Sequence, residues 1–243
     1  SAGPDRREGR GTRVKRADIA RALVTVAAAR GAPLLLSELD MRLTNLGLIS
    51  AIAVLGLTFA FGYAGLIQLG QAAFVGLGAY MSALLAVKLG FSFWVGLPAG
   101  VLFAAGCAAL IGLPLLRLRG HYLALATVGL NVSLEIVTRS WVSLTGGFDG
   151  VSGIPGVTIF GWAADTDRRM YWVILAFLAL ACGLAWLVRH SHLGRAMIAV
   201  RDDEIAAAAA GVSITGTKVA AFTLSGAYGG LSGVLYAHYA AYI

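Results

Sequence analysis

The sequence predicts an all-α protein, a polytopic bundle of transmembrane helices with about seven spans. Hydrophobic residues make up 58% of the 243-residue chain and charged residues only 13%, and the mean hydropathy is +0.80. An average soluble domain has about 25% charged residues. Several uncharged runs approach the ~20 apolar residues that an α-helix needs to cross a bilayer. A soluble protein with a large core does not need repeated runs of that length.

The first 36 residues differ from the rest of the chain. Residues 1–18 are polar and basic and contain no apolar h-region, which favours a cytoplasmic tail over a signal peptide. The first candidate span, 19–36, is weak because Arg21 and Arg30 interrupt it and Pro33 follows. Residues 19–243 are expected to form the membrane domain.

Six stronger candidate spans follow, separated by three kinds of connection. The stretch "GYAGLIQLGQ" breaks the apolar pattern after the first of them, residues 140–169 are polar and rich in turn residues, and residues 190–217 are charged. The six spans are 43–61, 72–87, 93–116, 121–139, 171–188 and 218–238.

The distribution of Lys and Arg predicts the orientation of these spans. If the basic tail is cytoplasmic and 19–36 crosses, thirteen of the nineteen Lys and Arg residues lie on the cytoplasmic side and five on the other, with Arg30 inside the weak span. Cytoplasmic loops of membrane proteins carry such an excess. The loop 190–217 is therefore expected in the cytoplasm and the loop 140–169 in the periplasm. We attribute the net charge of +7 to these loops and to contact with membrane lipid, and not to binding of nucleic acid.

The segment "SHLGRAMIAVRDDEIAAAAAGVSITGTK" is charged and strongly helix-favouring. Arg, Asp and Glu are each costly at the centre of a membrane helix, so this segment is expected outside the hydrocarbon. Its composition predicts one helix over 195–210 that stops at Gly211. Such a helix is either a docking element for a partner outside the bilayer or a solvated loop helix without a partner.

A polar stripe runs along the span 121–139. Thr127, Asn131, Glu135 and Arg139 recur every four residues and so lie along one face of a helix, with Glu135 and Arg139 suitably spaced to pair. Ionisable groups within a span are candidates for function. The stripe either faces a translocation path, with Thr127, Asn131 and Glu135 lining it, or holds neighbouring helices together.

Three glycine-rich stretches punctuate the chain. "GYAGLIQLGQAAFVGLGAY" suits close packing or non-helical backbone lining a cavity, and its Gln68 and Gln71 are further candidates for the path. "SGAYGGLSG" has the small-xxx-small spacing of tightly packed membrane helices. "TGGFDGVSGIP" suits a compact loop that serves as a gate, as a docking surface or only as a connection.

Motifs that mark catalysis do not occur. The chain lacks HExxH, GxSxG, a Walker GxxxxGK[ST] and a CxxC pair, and its four histidines are scattered. Cys107 and Cys182 both lie in apolar runs. The sequence therefore predicts no catalytic residue, no metal ligand and no cofactor, and leaves a non-transporting membrane scaffold as an alternative to a transport protein.

Four motifs, in order over residues 46 to 242, resemble permeases of branched-chain amino acid ABC importers, specifically the LivM-like subunit. They are "GYAGLIQLGQAAFVGLGAY", "RLRGHYLALATVGL", "TGGFDGVSGIP" and "GRAMIAVRDDEIAAAAAGVSITGTKVAAFTLSGAYGGLSG". The family more often has Ser at the position of Gln68. Similar permeases continue beyond "YAHYAAYI", so the chain is expected to be incomplete at its C-terminus.

The resemblance implies a multi-pass subunit of the bacterial inner membrane that forms the translocation path but does not hydrolyse ATP. It implies three partners: ATP-binding subunits, a second homologous permease subunit and a periplasmic substrate-binding protein. The solute is expected to be a branched-chain or other hydrophobic amino acid, with urea or short amides as the alternative. The residues that match the family's ATPase-coupling loop are Gly194, Arg195, Arg201, Asp202, Glu204, Ala207, Gly211 and Lys218.

Overall fold

The computed structural model describes residues 37–118, 120–159 and 162–243. The predicted tail, 1–18, and the weak first span, 19–36, lie outside these described residues. The chain divides into two compact units, residues 1–44 and residues 45–243. In the described part of the first unit, the Ser37 hydroxyl accepts a hydrogen bond from the Asp40 N–H (3.3 Å) and caps the start of a helix.

Six long helices correspond to the six stronger predicted spans, with ends that differ by a few residues. The first helix, α1, continues into a π-helical segment, Thr58–Tyr63, before the chain leaves helical geometry at 64–70. This break falls where "GYAGLIQLGQ" was predicted to interrupt the apolar pattern. The long helices are α1 (Glu38–Leu57), α2 (Gln71–Leu89), α3 (Phe93–Leu115), α4 (His121–Ser140), α6 (Asp167–His190) and α9 (Ile214–Ala240).

Shorter elements occupy the connections. Helix α5 (Val142–Thr145) and an antiparallel pair of two-residue strands, β1 (Thr158–Ile159) and β2 (Trp162–Ala163), lie between α4 and α6, with Thr158 opposite Ala163. Helices α7 (His192–Asp202) and α8 (Glu204–Ala209) lie between α6 and α9. The all-α prediction is therefore confirmed. The additions among the described residues are this small strand pair and an isolated antiparallel bridge between Ser152 and Tyr242.

Five stretches of the described residues are helical, long and apolar enough to cross a membrane. They are Glu38–Tyr63, α2, α3, α4 and α6. Helix α9 has 27 residues, but its glycines, serines and tyrosines lower its mean hydropathy and it is not among the five. The predicted number of about seven spans is thus not confirmed, because the weak span 19–36 is outside the described residues and α9 is less apolar than the others.

Helix α9 forms the centre of the bundle and packs against both α2 and α3. A Cβ at Gly230 would lie 2.7 Å from the Cβ of Ala104 on α3, and one at Gly229 would lie 2.8 Å from the Cβ of Phe74 on α2. Neither distance leaves room for a side chain. The small-xxx-small spacing of "SGAYGGLSG" therefore serves helix packing, as predicted.

The loops gather at two opposite ends of residues 45–243. We call one the charged end; of the described residues it holds 62–70, 117–118, 120–121 and 189–218. We call the other the glycine-loop end; of the described residues it holds 88–94, 140–159, 162–167 and 238–243. Hydrogen bonds within each end join loops that are far apart in sequence, such as Trp94 Nε1 to the Thr158 carbonyl (2.9 Å) at the glycine-loop end.

Candidate functional site

The charged segment consists of two helices, and the prediction of one continuous helix over 195–210 was wrong. Helix α7 ends at Asp202, Asp203 is extended (φ −155°, ψ 110°), and α8 begins at Glu204. The Asp203 carboxylate accepts hydrogen bonds from the N–H groups of Ile205 (2.8 Å) and Ala206 (3.0 Å). An N-cap of this kind satisfies helix donors that otherwise lack partners, so it favours a new start over a continuous helix.

Both outer boundaries of the segment have a local cause. The Ser191 hydroxyl accepts from the Gly194 N–H (3.3 Å) and caps α7. Gly194 packs against the carbonyl groups at the end of α6, where a Cβ has no room. At the other boundary Gly211 has φ +83°, the left-handed conformation that glycine adopts most easily, so the predicted stop at Gly211 is confirmed.

Arg201 joins the charged segment to the π-helical segment. Its Nη1 donates to the Gly62 carbonyl (2.7 Å), while Nε and Nη2 donate to Asp202 Oδ1 (3.1 and 3.0 Å). Gly65, with φ +67°, lies so close that a Cβ there would be 2.8 Å from Arg201 Cγ. The guanidinium therefore makes a contact that spans 139 residues of sequence.

Glu204 and Lys218 form the second charged contact of the segment. Lys218 Nζ lies 2.6 Å from Glu204 Oε1. The Lys218 side chain is 12% exposed and the Glu204 side chain 40% exposed. Both residues line two cavities at the charged end, one of about 170 Å³ and one of about 660 Å³. Among the described residues, Arg195 bonds only to nearby positions of the chain, the His190 carbonyl (2.9 Å) and His192 Nδ1 (3.1 Å).

Helix α8 presents an apolar surface away from the bundle. Ile205 is 84% exposed, and Ala206, Ala208 and Ala209 are exposed as well. Ala207 alone is buried among the alanines of α8. Of the predicted coupling residues, Gly194 and Ala207 are therefore buried and Glu204 and Lys218 are half-buried. The other four, Arg195, Arg201, Asp202 and Gly211, are exposed.

The residues of the predicted polar stripe on α4 also differ in their burial. Thr127 is buried; its hydroxyl donates to the Ala124 carbonyl (2.9 Å) and accepts from the Leu69 N–H (3.0 Å). Asn131 is half-buried, and Glu135 pairs with Arg139 at 2.6 Å, with side chains 57% and 54% exposed. The predicted pairing of Glu135 with Arg139 is confirmed.

A cavity of about 220 Å³ lies between α2 and α4. Asn131 and Glu135 line it from α4, together with Ala72 and Tyr80 from α2. Only 11% of the most apolar part of α4 is buried, the lowest share of the five candidate spans. An ionic pair on such a face is unfavourable next to lipid, which favours a protein partner or water against this part of α4.

Gln68 and Gln71 lie inside the bundle and not on the α2–α4 cavity. Gln71 Nε2 donates to the carbonyls of Ala53 on α1 and Ser225 on α9 (both 3.1 Å), and its Oε1 accepts from Gln68 Nε2 (2.9 Å) and Ser225 Oγ (2.8 Å). Gln71 therefore joins three helices through its amide. The side-chain oxygen of Gln68 is buried and has no hydrogen-bond partner within the described part of the chain.

A polar cluster at the glycine-loop end was not predicted from the sequence. His238 on α9 is 3% exposed; its Nε2 lies 2.9 Å from Ser82 Oγ and its Nδ1 lies 2.8 Å from the Pro155 carbonyl. The position of His238 within an otherwise apolar stretch of α9 is the signal that could have marked it. Among the described residues, no group of three or more His, Cys, Asp or Glu could hold a metal ion.

Comparisons with family models and with curated proteins both found matches. Residues 41–243 match the family model described as branched-chain amino acid transport system, permease component. The chain is 35% identical over 250 residues to the high-affinity branched-chain amino acid transport system permease protein LivM of Salmonella typhimurium (strain LT2), and equally to LivM of Escherichia coli (strain K12). Each alignment covers 93% of this chain and 58% of the relative, so the chain spans little more than half the length of these relatives.

No solved structure matches the chain significantly. The family model nevertheless covers most of the sequence, and the relatives share more than a third of the aligned residues. The predicted resemblance is confirmed: the chain belongs to the permease components of branched-chain amino acid transport systems.

Proposed function

We propose that the chain is part of a multi-pass permease subunit in the bacterial inner membrane that imports branched-chain or other hydrophobic amino acids. ATP is hydrolysed by separate ATP-binding subunits, and a periplasmic binding protein delivers the solute. A second homologous permease subunit completes the path. Family membership and the relatives named LivM support the solute class.

The observation that carries the proposed coupling to an ATP-binding subunit is the exposed apolar surface at the charged end. Ile205 on α8 is 84% exposed. The charged residues 202–204 precede it in the chain, and the exposed alanines of α8 follow it. An isolated apolar surface of this kind on a charged loop favours a protein partner. We assign the docking of the ATP-binding subunit to residues 191–218. The docking set is Gly194, Arg195, Arg201, Asp202, Glu204, Ala207, Gly211 and Lys218, with Ile205 as its centre.

The path is assigned to the face of α4 that borders the α2–α4 cavity. Asn131 and Glu135 line it, and Thr127 supports it from inside the bundle. The second permease subunit would cover the remaining exposed surface of α4. Gln68 and Gln71 contribute by holding the non-helical segment and α2 in place, as their hydrogen bonds indicate.

The docking proposal is tested by replacing Ile205 with Asp in the full-length permease. We expect at least a tenfold loss of co-purified ATP-binding subunit, because a carboxylate would be buried in the interface. Substituting Arg201, Asp202 and Glu204 is less specific, since two of these residues also bond to Gly62 and Lys218.

The matched control is Leu89→Asp, since Leu89 is 63% exposed at the glycine-loop end. This variant should retain the ATP-binding subunit. Undiminished co-purification with Ile205→Asp would refute docking at α8. An uptake panel with leucine, isoleucine, valine and urea in the assembled transporter would then identify the solute, and a preference for urea would refute the proposed class.

A further inference from the structure

Residues 58–70 lie between the charged segment and the proposed path. They begin as a π-helix, where the Ala64 N–H donates to the Phe59 carbonyl (3.1 Å), and continue as non-helical backbone up to α2. π-helical turns are rare and occur often at functional sites. Non-helical backbone at the edge of a membrane bundle is tolerated where protein surrounds it. These residues are therefore held by their neighbours more than by their own helical hydrogen bonds.

Two arginines from the charged end hold the first half of this stretch. Arg201, at the end of α7, donates to the Gly62 carbonyl at 2.7 Å. Arg189, at the end of α6, places its guanidinium carbon 5.9 Å from the centre of the Tyr63 ring, a distance at which a cation and a ring attract. Arg201 lies in the last turn of α7 and Arg189 lies shortly before its start, so a movement of α7 would displace residues 62 and 63.

The second half of the stretch is fastened to α4. The Leu69 N–H donates to the Thr127 hydroxyl at 3.0 Å. A Cβ at Gly70 would lie 2.6 Å from the Thr127 carbonyl oxygen, so the two backbones are in direct contact. Thr127 lies one helical turn from Asn131 and two turns from Glu135, both of which line the α2–α4 cavity.

We infer that residues 58–70 are a relay between the charged segment and α4, with Arg201 and Thr127 as its two attachment points. This inference rests on the proposed function and goes beyond docking. Docking holds the ATP-binding subunit on α8, whereas the relay carries the displacement of α7 through Gly62 and Leu69 to Thr127. Arg201 and Thr127 are positioning residues and need not touch the solute.

The inference is tested with Arg201→Ala, Thr127→Val and the double variant in the assembled transporter. Leucine uptake and ATP hydrolysis are measured on the same proteoliposomes. Uptake is expressed per ATP hydrolysed by the complexes that hold their ATP-binding subunit, and each single variant should transport at least tenfold less leucine per ATP than the wild type. Because Arg201 also belongs to the proposed docking set, Arg201→Ala is expected to assemble less complex, a loss that does not enter this ratio. The double variant should transport no less leucine per ATP than the less active single variant, because both substitutions break the same connection.

The matched control is Thr223→Val. The Thr223 hydroxyl donates only to the Val219 carbonyl of its own helix (2.8 Å), so uptake per ATP should not change. An unchanged ratio in both single variants, or effects that multiply in the double variant, would overturn the relay. An unchanged ratio with Arg201→Ala alone would also overturn it, because Arg201 would then act only in docking.

A second measurement uses the wild-type transporter, so it does not depend on whether a variant folds or on which solute is transported. Hydrogen exchange of the backbone amides is compared between the nucleotide-free state and the state trapped with ATP and vanadate. Exchange in 62–70, including the Leu69 amide, should change at least fivefold on trapping. If it does not change while 191–218 becomes protected, docking stands and the relay fails; if neither region responds, the proposed coupling fails as well.

Discussion

At the scale of single residues, the polar side chains inside the bundle bond mainly to groups on other helices. Tyr228 on α9 donates to the Ala181 carbonyl on α6 (2.8 Å), and Ser232 donates to the Ile49 carbonyl on α1 (2.8 Å). Such bonds supplement van der Waals packing between membrane helices, where little hydrophobic driving force remains. Of the described side chains, Gln71 makes the largest number of such bonds.

Replacing Gln71 with Leu should destabilise the isolated permease. The change removes four hydrogen bonds that join α1, α2, α9 and Gln68. Interhelical hydrogen bonds in membranes average roughly 0.6 kcal/mol each, so we expect a loss of about 1–3 kcal/mol. Thermal unfolding in detergent, followed by the loss of monodisperse protein, measures it.

Ser50→Ala provides the comparison, because the exposed Ser50 hydroxyl bonds only to the Leu46 carbonyl of its own helix (2.8 Å). It should leave the unfolding temperature nearly unchanged. Equal unfolding temperatures for Gln71→Leu and Ser50→Ala would show that the Gln71 hydrogen bonds add no stability.

At the scale of elements, the break between α7 and α8 depends on one side chain. Asp203→Ala should weaken α8 by about 1 kcal/mol, the usual cost of losing an N-cap. Hydrogen exchange at the amides of Ile205 and Ala206 should become faster, because both donate to the Asp203 carboxylate. Asp203→Asn keeps an acceptor oxygen and should exchange nearly as slowly as the wild type. Equal exchange in Asp203→Ala and the wild type would mean that packing alone orders α8.

The contact of α9 with α3 supplies a second prediction at this scale. Gly230→Leu would force a side chain against Ala104, where even a Cβ has only 2.7 Å. Overpacking of this kind usually costs about 1–3 kcal/mol, and more where the helix backbones must separate. Gly183→Leu on α6 is the control, because nothing lies within 4 Å of a Cβ there. If the two variants unfold at the same temperature, the close contact of α9 with α3 is not needed for stability.

The sequence predicted the helices well because each leaves a long local signal. Runs of apolar residues located α1, α2, α3, α4 and α6 to within a few residues. The helix break was missed because five consecutive alanines suggest a continuous helix, and the capping signal of Asp203 occupies a single position. Its carboxylate satisfies two free amides, an effect that summed propensity does not contain.

The arrangement of the site could be predicted only in part. The pairing of Glu135 with Arg139 follows from helix geometry and spacing. By contrast, Arg201 contacts Gly62 across 139 residues, and His238 contacts Ser82 across 156. Such contacts depend on which helices become neighbours, and no local pattern of residues encodes that choice. For the same reason, the sequence could not show that the Gln71 amide joins α1, α2 and α9, and its role in the path stays a prediction.

At the scale of the whole molecule, residues 45–243 have a charged end and a glycine-loop end. The glycine loop is joined to the end of α9: Val151 and Ile243 exchange backbone hydrogen bonds of 2.9 and 3.1 Å. His238 adds its contact with the Pro155 carbonyl. Proposed docking and proposed delivery of solute would thus take place at opposite ends, as import across a membrane requires.

This separation predicts the outcome of labelling with a membrane-impermeant maleimide in cells. The background carries Cys107→Ala and Cys182→Ala, because Cys182 is exposed and Cys107 half-buried. A cysteine at the exposed Ser152 should be labelled once the outer membrane is opened. One at the exposed Ala208 should be labelled only after the inner membrane is permeabilised.

The permease should be expressed without its ATP-binding subunit in this experiment, so that a docked partner does not cover position 208. Labelling of both positions in permeabilised cells shows that each cysteine can react with the maleimide. A cysteine that is not labelled in intact cells is then one that the membrane shields from the reagent. If Ala208→Cys is labelled from outside and Ser152→Cys is not, the orientation is inverted and the charged end cannot meet an ATP-binding subunit in the cytoplasm. If both are labelled from outside, the two ends do not lie on opposite sides, and an import path between them is ruled out.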